Sequence, residues 1–168
     1  MQLVLLGGAP GVGKSTAAHY LLEEAYLRGG DVLVQWVEVE GLWRHQPWQV
    51  NERTTQLRDE NLRAVLANAE RANVDVVVVT WVFAAVDQYD LVRALAPAGV
   101  DATTVQLAAS EPTWRQRFGS DPLRRPIADV DLQRWANHSS VACDHLVSTD
   151  GLEGQEVGRL LAKLLLSA

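Results

Sequence analysis

Apolar runs of strand length alternate along the chain with stretches whose apolar residues recur every three or four positions. Residues 2–6 (QLVLL) read as a first buried strand and residues 32–39 (VLVQWVEV) as a second. Val74–Thr80 forms a third, Thr103–Ala108 a fourth and His145–Ser148 a fifth. Between them the spacing predicts a helix from Lys14 to Arg28, stopped by Gly29 and Gly30, and a long helix from Thr54 to Ala72. Shorter helices follow over Gln88–Leu95 behind an Asp87 cap, over Glu111–Phe118, and from Asp129 onward. A last helix carries Val157, Leu160, Leu161, Leu164 and Leu165 on one face. Gly41 and Pro47 mark one loop, and Pro122 and Pro126 another. Such alternation predicts one α/β domain, a parallel sheet covered by helices on both faces with right-handed crossovers. Ligands of such sheets bind at the carboxyl ends of the strands, which says which loops can share a site.

One of those loops has a recognisable chemistry. Gly8-Ala9-Pro10-Gly11-Val12-Gly13-Lys14-Ser15 fills every required position of G-x-x-x-x-G-K-[ST], with Thr16 next in line. An apolar strand precedes it and an amphipathic helix follows. The glycines permit a backbone path on which successive N–H groups turn inward toward phosphate oxygens. The helix adds the positive end of its dipole. Lys14 can reach the β- and γ-phosphates, and the Ser15 hydroxyl can ligate magnesium. No N-K-x-D guanine-reading motif occurs, which favours ATP over GTP. The expected cofactors are ATP and Mg2+.

Chains with this loop often end another core strand in an aspartate that helps hold the metal. Strand three here ends in Thr80, whose hydroxyl could hold a metal-bound water but supplies no charge. Asp75 lies at that strand's amino end, away from the phosphates, and reads as a solvated start. Strand two offers the charge instead: Glu38 and Glu40, two apart near its carboxyl end, are expected on one face of the strand. One could hold magnesium through water while the other accepts a proton from a substrate hydroxyl. The alternative is a frayed strand end with solvated glutamates.

With the loop near the start, acids closing strand two and an arginine-bearing segment after strand four, the chain resembles the small P-loop kinases. These include nucleoside monophosphate, shikimate, gluconate and antibiotic phosphotransferase relatives. The resemblance implies a three-layer α/β/α P-loop NTPase fold, with five parallel strands in the order 2-3-1-4-5 and a short lid at about residues 119–128. Glu38-Val39-Glu40 is similar to the D-x-D of shikimate kinases, with glutamate in place of aspartate. Carried over, this makes Glu38 the metal-side acid and Glu40 the acceptor-side acid.

Arg115, Arg117, Arg124 and Arg125 fall on the segment where such kinases carry their lid arginines. A guanidinium there can stabilise charge on the transferring phosphoryl group. Arg115 and Arg124 are the favoured pair; a solvated basic patch is the alternative. The helix after strand two would flank the acceptor. Leu57, Asn61, Val65 and Ala69 share one row of it, with Arg58 beside Asn61. Asn61 and Arg58 are therefore candidate acceptor contacts, although a hydrogen bond from Asn61 to a neighbouring loop would serve as well. Of the six tryptophans, Trp36 and Trp135 read as core. Trp43 and Trp48 follow Glu40 and form either a pocket wall or a satellite cluster. Ser148-Thr149-Asp150-Gly151 resembles the loop that borders adenine in these kinases.

Composition narrows the partners. The 168 residues are 48% hydrophobic and 21% charged with net charge −6, an ordinary balance for a soluble domain that argues against a broad nucleic-acid face. One cysteine, Cys143, fits a reducing compartment, and the four histidines lack metal-ligand spacing. No apolar run is long enough to span a membrane, and no basic-led signal segment is seen. A cytoplasmic monomer or homodimer is expected, acting as an ATP-dependent phosphotransferase on a hydroxyl of a small molecule. The competing reading is a regulatory P-loop ATPase or nucleotide switch without a small acceptor.

Overall fold

The computed structural model describes residues 1–122, 124–138 and 140–166. Among these the strands are β1 (Gln2–Gly8), β2 (Val34–Glu38), β3 (Val76–Thr80), β4 (Ala102–Ala108) and β5 (His145–Ser148). The helices are α1 (Lys14–Leu27), α2 (Val39–Leu42), α3 (Glu52–Arg71), α4 (Val86–Leu95), α5 (Glu111–Ser120), α6 (Asp129–His138) and α7 (Gly154–Leu165). The strands form one sheet in the order β2-β3-β1-β4-β5, with every neighbouring pair parallel. That is the order the resemblance implied.

Strand side chains alternate between faces, and the two cores divide accordingly. Val4 and Leu6 of β1 pack with Ala17, Ala18 and Leu21 of α1, Trp114 and Phe118 of α5, and Leu161 of α7. Leu3 and Leu5 face the other way, onto Leu62 and Leu66 of α3 and Tyr89 and Val92 of α4. Helices α1 and α7 approach closely because Gly158 lies against Tyr20, where a Cβ would come within 2.8 Å of the Tyr20 carbonyl carbon.

Several boundaries differ from expectation, each for a local reason. Strand β2 stops at Glu38, whose register partner Thr80 is the last residue of β3. With no neighbour left to pair with, the chain turns into α2. Glu40 therefore stands on a helical turn, and strand alternation is not what relates it to Glu38. Asp75 is exposed just before β3, as expected, and its carboxylate also accepts the Leu33 N–H at 2.8 Å, which fixes the entry to β2. Helix α3 begins early because Asn51 and Thr54 form a reciprocal cap, each side chain bonding the other's backbone N–H at 3.1 Å. Helix α4 is preceded by Ala85, with Asp87 in its first turn. On α7, Val157, Leu161 and Leu165 are buried while Leu160 and Leu164 reach solvent. No helix of the described residues is long and apolar enough to cross a membrane.

Candidate active site

The loop between β1 and α1 lies at the centre of the sheet's carboxyl edge. It forms the floor of a cavity of about 720 Å3. The strand order divides the walls of that cavity. From the β2–β3 side come Glu38, Glu40, Arg44 and Val82; from the β4–β5 side come Arg117, Thr149, Leu152, Glu153 and Val157. Asp121 and Arg124, past the end of α5, complete the lining.

Pro10, Gly11, Val12, Gly13, Lys14, Ser15 and Thr16 line the floor directly. Gly13 caps α1 at φ 103°, a left-handed conformation that a residue with a Cβ resists. Gly8, at φ 142°, also has no room for a Cβ, which would meet the Leu107 carbonyl oxygen at 2.7 Å. The Lys14 ammonium donates to the Gly8 carbonyl at 2.9 Å and the Ala9 carbonyl at 3.1 Å, so the lysine is folded onto its own loop. Burial lowers its pKa to about 8; Glu40 pulls the other way and Arg124 adds to the lowering. Glu40 and Arg124 are thus the charges that Lys14 feels most.

Ser15 Oγ donates to Glu38 Oε1 at 2.6 Å, joining the loop to the end of β2. A hydroxyl and a carboxylate side by side beneath a phosphate cradle suit magnesium, which takes one or two protein oxygens and leaves its other positions to phosphate and water. Among the described residues no group of three or more His, Cys, Asp or Glu side chains could hold a metal by itself. Glu40 opens onto the same cavity from α2. Partial loss of water around its carboxyl raises its pKa, while its own backbone N–H and Lys14 act in the opposite direction.

Helix α5 braces the loop from the β4 side. Trp114 Nε1 donates to the Pro10 carbonyl at 2.8 Å, and Phe118 packs against Gly11, where a Cβ would come within 3.2 Å of its ring. One turn along, Arg117 donates to Thr149 Oγ1 at 2.8 Å, to the Thr149 carbonyl at 2.9 Å, to the Leu152 carbonyl at 3.1 Å and to the Val12 carbonyl at 3.4 Å. It ties the phosphate loop to the loop after β5. Arg115 faces away from the cavity and pairs with Glu111 at 2.7 Å. Arg124 lines the cavity, held by Asp121 at 2.9 Å and stacked 4.7 Å over Phe118. Arg125 reaches back to Asp131 at 2.7 and 3.0 Å and anchors the start of α6. Of the expected lid, Leu123 lies outside the described residues.

The acceptor-side candidates do not line the cavity, and for Asn61, Trp43 and Trp48 the structure shows the alternatives that the sequence left open, a hydrogen bond to a neighbouring segment and a satellite aromatic cluster. Thr80 is buried, takes the Trp36 indole N–H at 2.8 Å and does not line the cavity. Asn61 donates to the Leu42 carbonyl at 2.8 Å, fastening α3 to α2. Arg58 is buried between the rings of Trp43 and Trp81, 5.0 and 4.9 Å from their centroids, and pairs with Asp59. Trp43 is buried in the core, and Trp48, largely exposed, stacks on His45 at 4.9 Å. Neither tryptophan lines the cavity. Arg44, between them in sequence, does. Arg44 was passed over by the sequence reasoning, and Arg117 was ranked below Arg115 and Arg124. For Arg117 a signal existed: Trp114, Arg117 and Phe118 share one face of a helix by their i, i+3, i+4 spacing.

Known proteins agree with this architecture. Residues 4–135 match the AAA domain family. No curated protein matches the chain. Among solved structures, a sugar kinase from Janibacter sp. HTCC2649 superposes with a TM-score of 0.73 at 13% identity, over 100% of this chain and 96% of that one. The tunicamycin resistance protein of Deinococcus radiodurans gives 0.71 at 16% identity, over 98% and 95%. The APS kinase of Mycobacterium tuberculosis, in complex with AMPPNP and APS, gives 0.65 at 19% identity, over 99% and 98%. With its phosphate loop at the centre of a 2-3-1-4-5 sheet, this chain belongs to the AAA domain family and has the fold of the small P-loop kinases.

Proposed function

We propose that the protein transfers the γ-phosphate of ATP to a hydroxyl of a small molecule, with magnesium held beside Ser15 and Glu38. The observation that carries this reading is the placement of Glu40. It faces Lys14 from the β2–β3 wall, opposite the wall on which Arg117 joins the phosphate loop to the loop after β5. The cavity thus has a nucleotide half and a second half with its own acid. In the reaction the acceptor oxygen bonds to the γ-phosphorus, the bond from that phosphorus to the departing ADP oxygen breaks, and the acceptor proton passes to the Glu40 carboxylate. A carboxyl whose pKa is raised by its surroundings is a better base than a free one. Lys14 and Arg124 stand where charge accumulates on the transferring group. Magnesium, when bound, supplies charge neutralisation at the phosphates. The nucleotide complex of the APS kinase and the small-molecule kinases among the structural relatives support the same reading.

The test pairs two variants. AMPPNP binding, ATP turnover and phosphorylated products from a set of hydroxylated metabolites are measured together with circular dichroism. Lys14→Ala should keep the fold and lose turnover by ~10²-fold or more, in line with removal of a preorganised donor. Glu40→Gln should retain ATP affinity and slow transfer by ~10²-fold or more. Near-normal turnover in Lys14→Ala refutes the proposal. Lost ATP affinity in Glu40→Gln, with an unchanged rate at saturation, would move Glu40 to the metal side.

A further inference from the structure

Four basic side chains line the cavity, and three of them are engaged. Lys14 bonds two loop carbonyls, Arg117 bonds Val12, Thr149 and Leu152, and Arg124 is held by Asp121 and Phe118. Among the described residues Arg44 alone of the four has no hydrogen bond, ion pair or aromatic partner. It forms no ion pair even with Glu40, four residues earlier on the same wall.

The backbone around Arg44 is fastened from both sides. Before it, the Leu42 carbonyl accepts from Asn61 and the Trp43 indole is packed into the core under Arg58. After it, His45 Nδ1 lies 2.8 Å from the Trp43 carbonyl, and Nε2 lies 3.0 Å from the Gln49 carbonyl. The cluster of Trp43, His45 and Trp48 is therefore a pedestal, which explains why these aromatics sit beside the site without lining it. What it presents to the cavity is one guanidinium. This charge is on the β2–β3 side, with Glu40, away from the wall that carries Arg117.

Resting on the proposed reading of the site, we infer that Arg44 binds an anionic group of the acceptor, so that the substrate is a hydroxylated small molecule that also carries a carboxylate, phosphate or sulfate. A planar guanidinium binds such oxyanions through two parallel N–H bonds. With the anionic end held by Arg44, the hydroxyl is turned toward Glu40 and the γ-phosphate. A neutral polyol would lack that anchor.

The probe is sulfate, added at constant ionic strength to protein saturated with Mg-AMPPNP, so that the phosphate cradle is already filled. Binding is read by tryptophan fluorescence, since Trp43 precedes Arg44 directly. Wild type should show a saturable response to sulfate and none to glycerol. Arg44→Ala should raise the sulfate Kd about tenfold or more, the usual worth of a bond to a charged group, while Arg44→Lys recovers part of the affinity. AMPPNP affinity should be the same in all three proteins. An equal sulfate Kd in Arg44→Ala, or no saturable response in wild type, overturns the inference and leaves the phosphotransfer reading standing. Failure of AMPPNP itself to bind overturns both.

Discussion

Acid stability should be governed by one histidine. His138, at the end of α6, is 4% exposed and belongs to a buried polar chain. Tyr89 Oη donates to Gln106 Oε1 at 2.8 Å, and Gln106 Nε2 donates to the His138 carbonyl at 3.1 Å and faces Nδ1 at 3.4 Å. The ring also bonds the Phe83 carbonyl. A neutral imidazole satisfies both neighbours, accepting from Gln106 and donating to Phe83. A protonated one turns a second N–H onto an amide that has only N–H to offer. Burial, reinforced by the Lys14 ammonium, lowers the pKa from 6.5 to about 4. Between those values the unfolded chain carries a proton that the folded chain does not, so stability is full above the unfolded pKa and falls as the pH drops toward the folded one. At ~1.4 kcal/mol per unit the whole shift corresponds to ~3 kcal/mol, of which ~2 kcal/mol is lost by about pH 5. Asp131, Asp144 and Asp150 have lowered pKa values, so their stabilisation is lost only below the ordinary carboxylate range and lies outside this window. Glu40, raised, acts with the opposite sign and is common to wild type and variant. Urea unfolding at about pH 8 and about pH 5, followed by tryptophan fluorescence, should therefore show wild type losing ~2 kcal/mol more than His138→Asn. Equal losses in the two proteins would refute the argument, whatever the variant costs at neutral pH.

Two further predictions test the walls of the site and its support. Arg117→Ala removes the tie between the phosphate loop and the loop after β5, and should weaken AMPPNP binding about tenfold or more by calorimetry. Arg115→Ala breaks only an exposed surface pair and should leave that affinity unchanged; the reverse ranking would show that the wrong arginine has been placed in the cavity. Gly158→Ala forces a methyl against the Tyr20 and Leu21 backbone where α1 meets α7. It should cost ~1–3 kcal/mol of stability, seen as a lower Tm, whereas an unchanged Tm would mean the helices are not in contact there.

The phosphate loop was readable from sequence because everything it needs is local: glycines at the positive-φ positions, then a lysine and a serine at the start of a helix. The strands were readable because double burial leaves an unbroken apolar run, as in Val76–Val79. The cavity walls were not. Where β2 ends depends on where β3 ends, since an edge strand continues only as long as it has a ladder to join. That limit turned Glu40 onto α2, and it reached the site by a helical turn rather than by strand alternation. The choice of Arg117 over Arg115 was made by Trp114 and Phe118, whose burial against Pro10 and Gly11 sets the rotation of α5. Asn61, Arg58 and Trp43 carry groups that could have met a ligand, yet they meet one another and their neighbours. Residue type states what a side chain can bond. Only the packing of one element on another decides which partner lies within its reach.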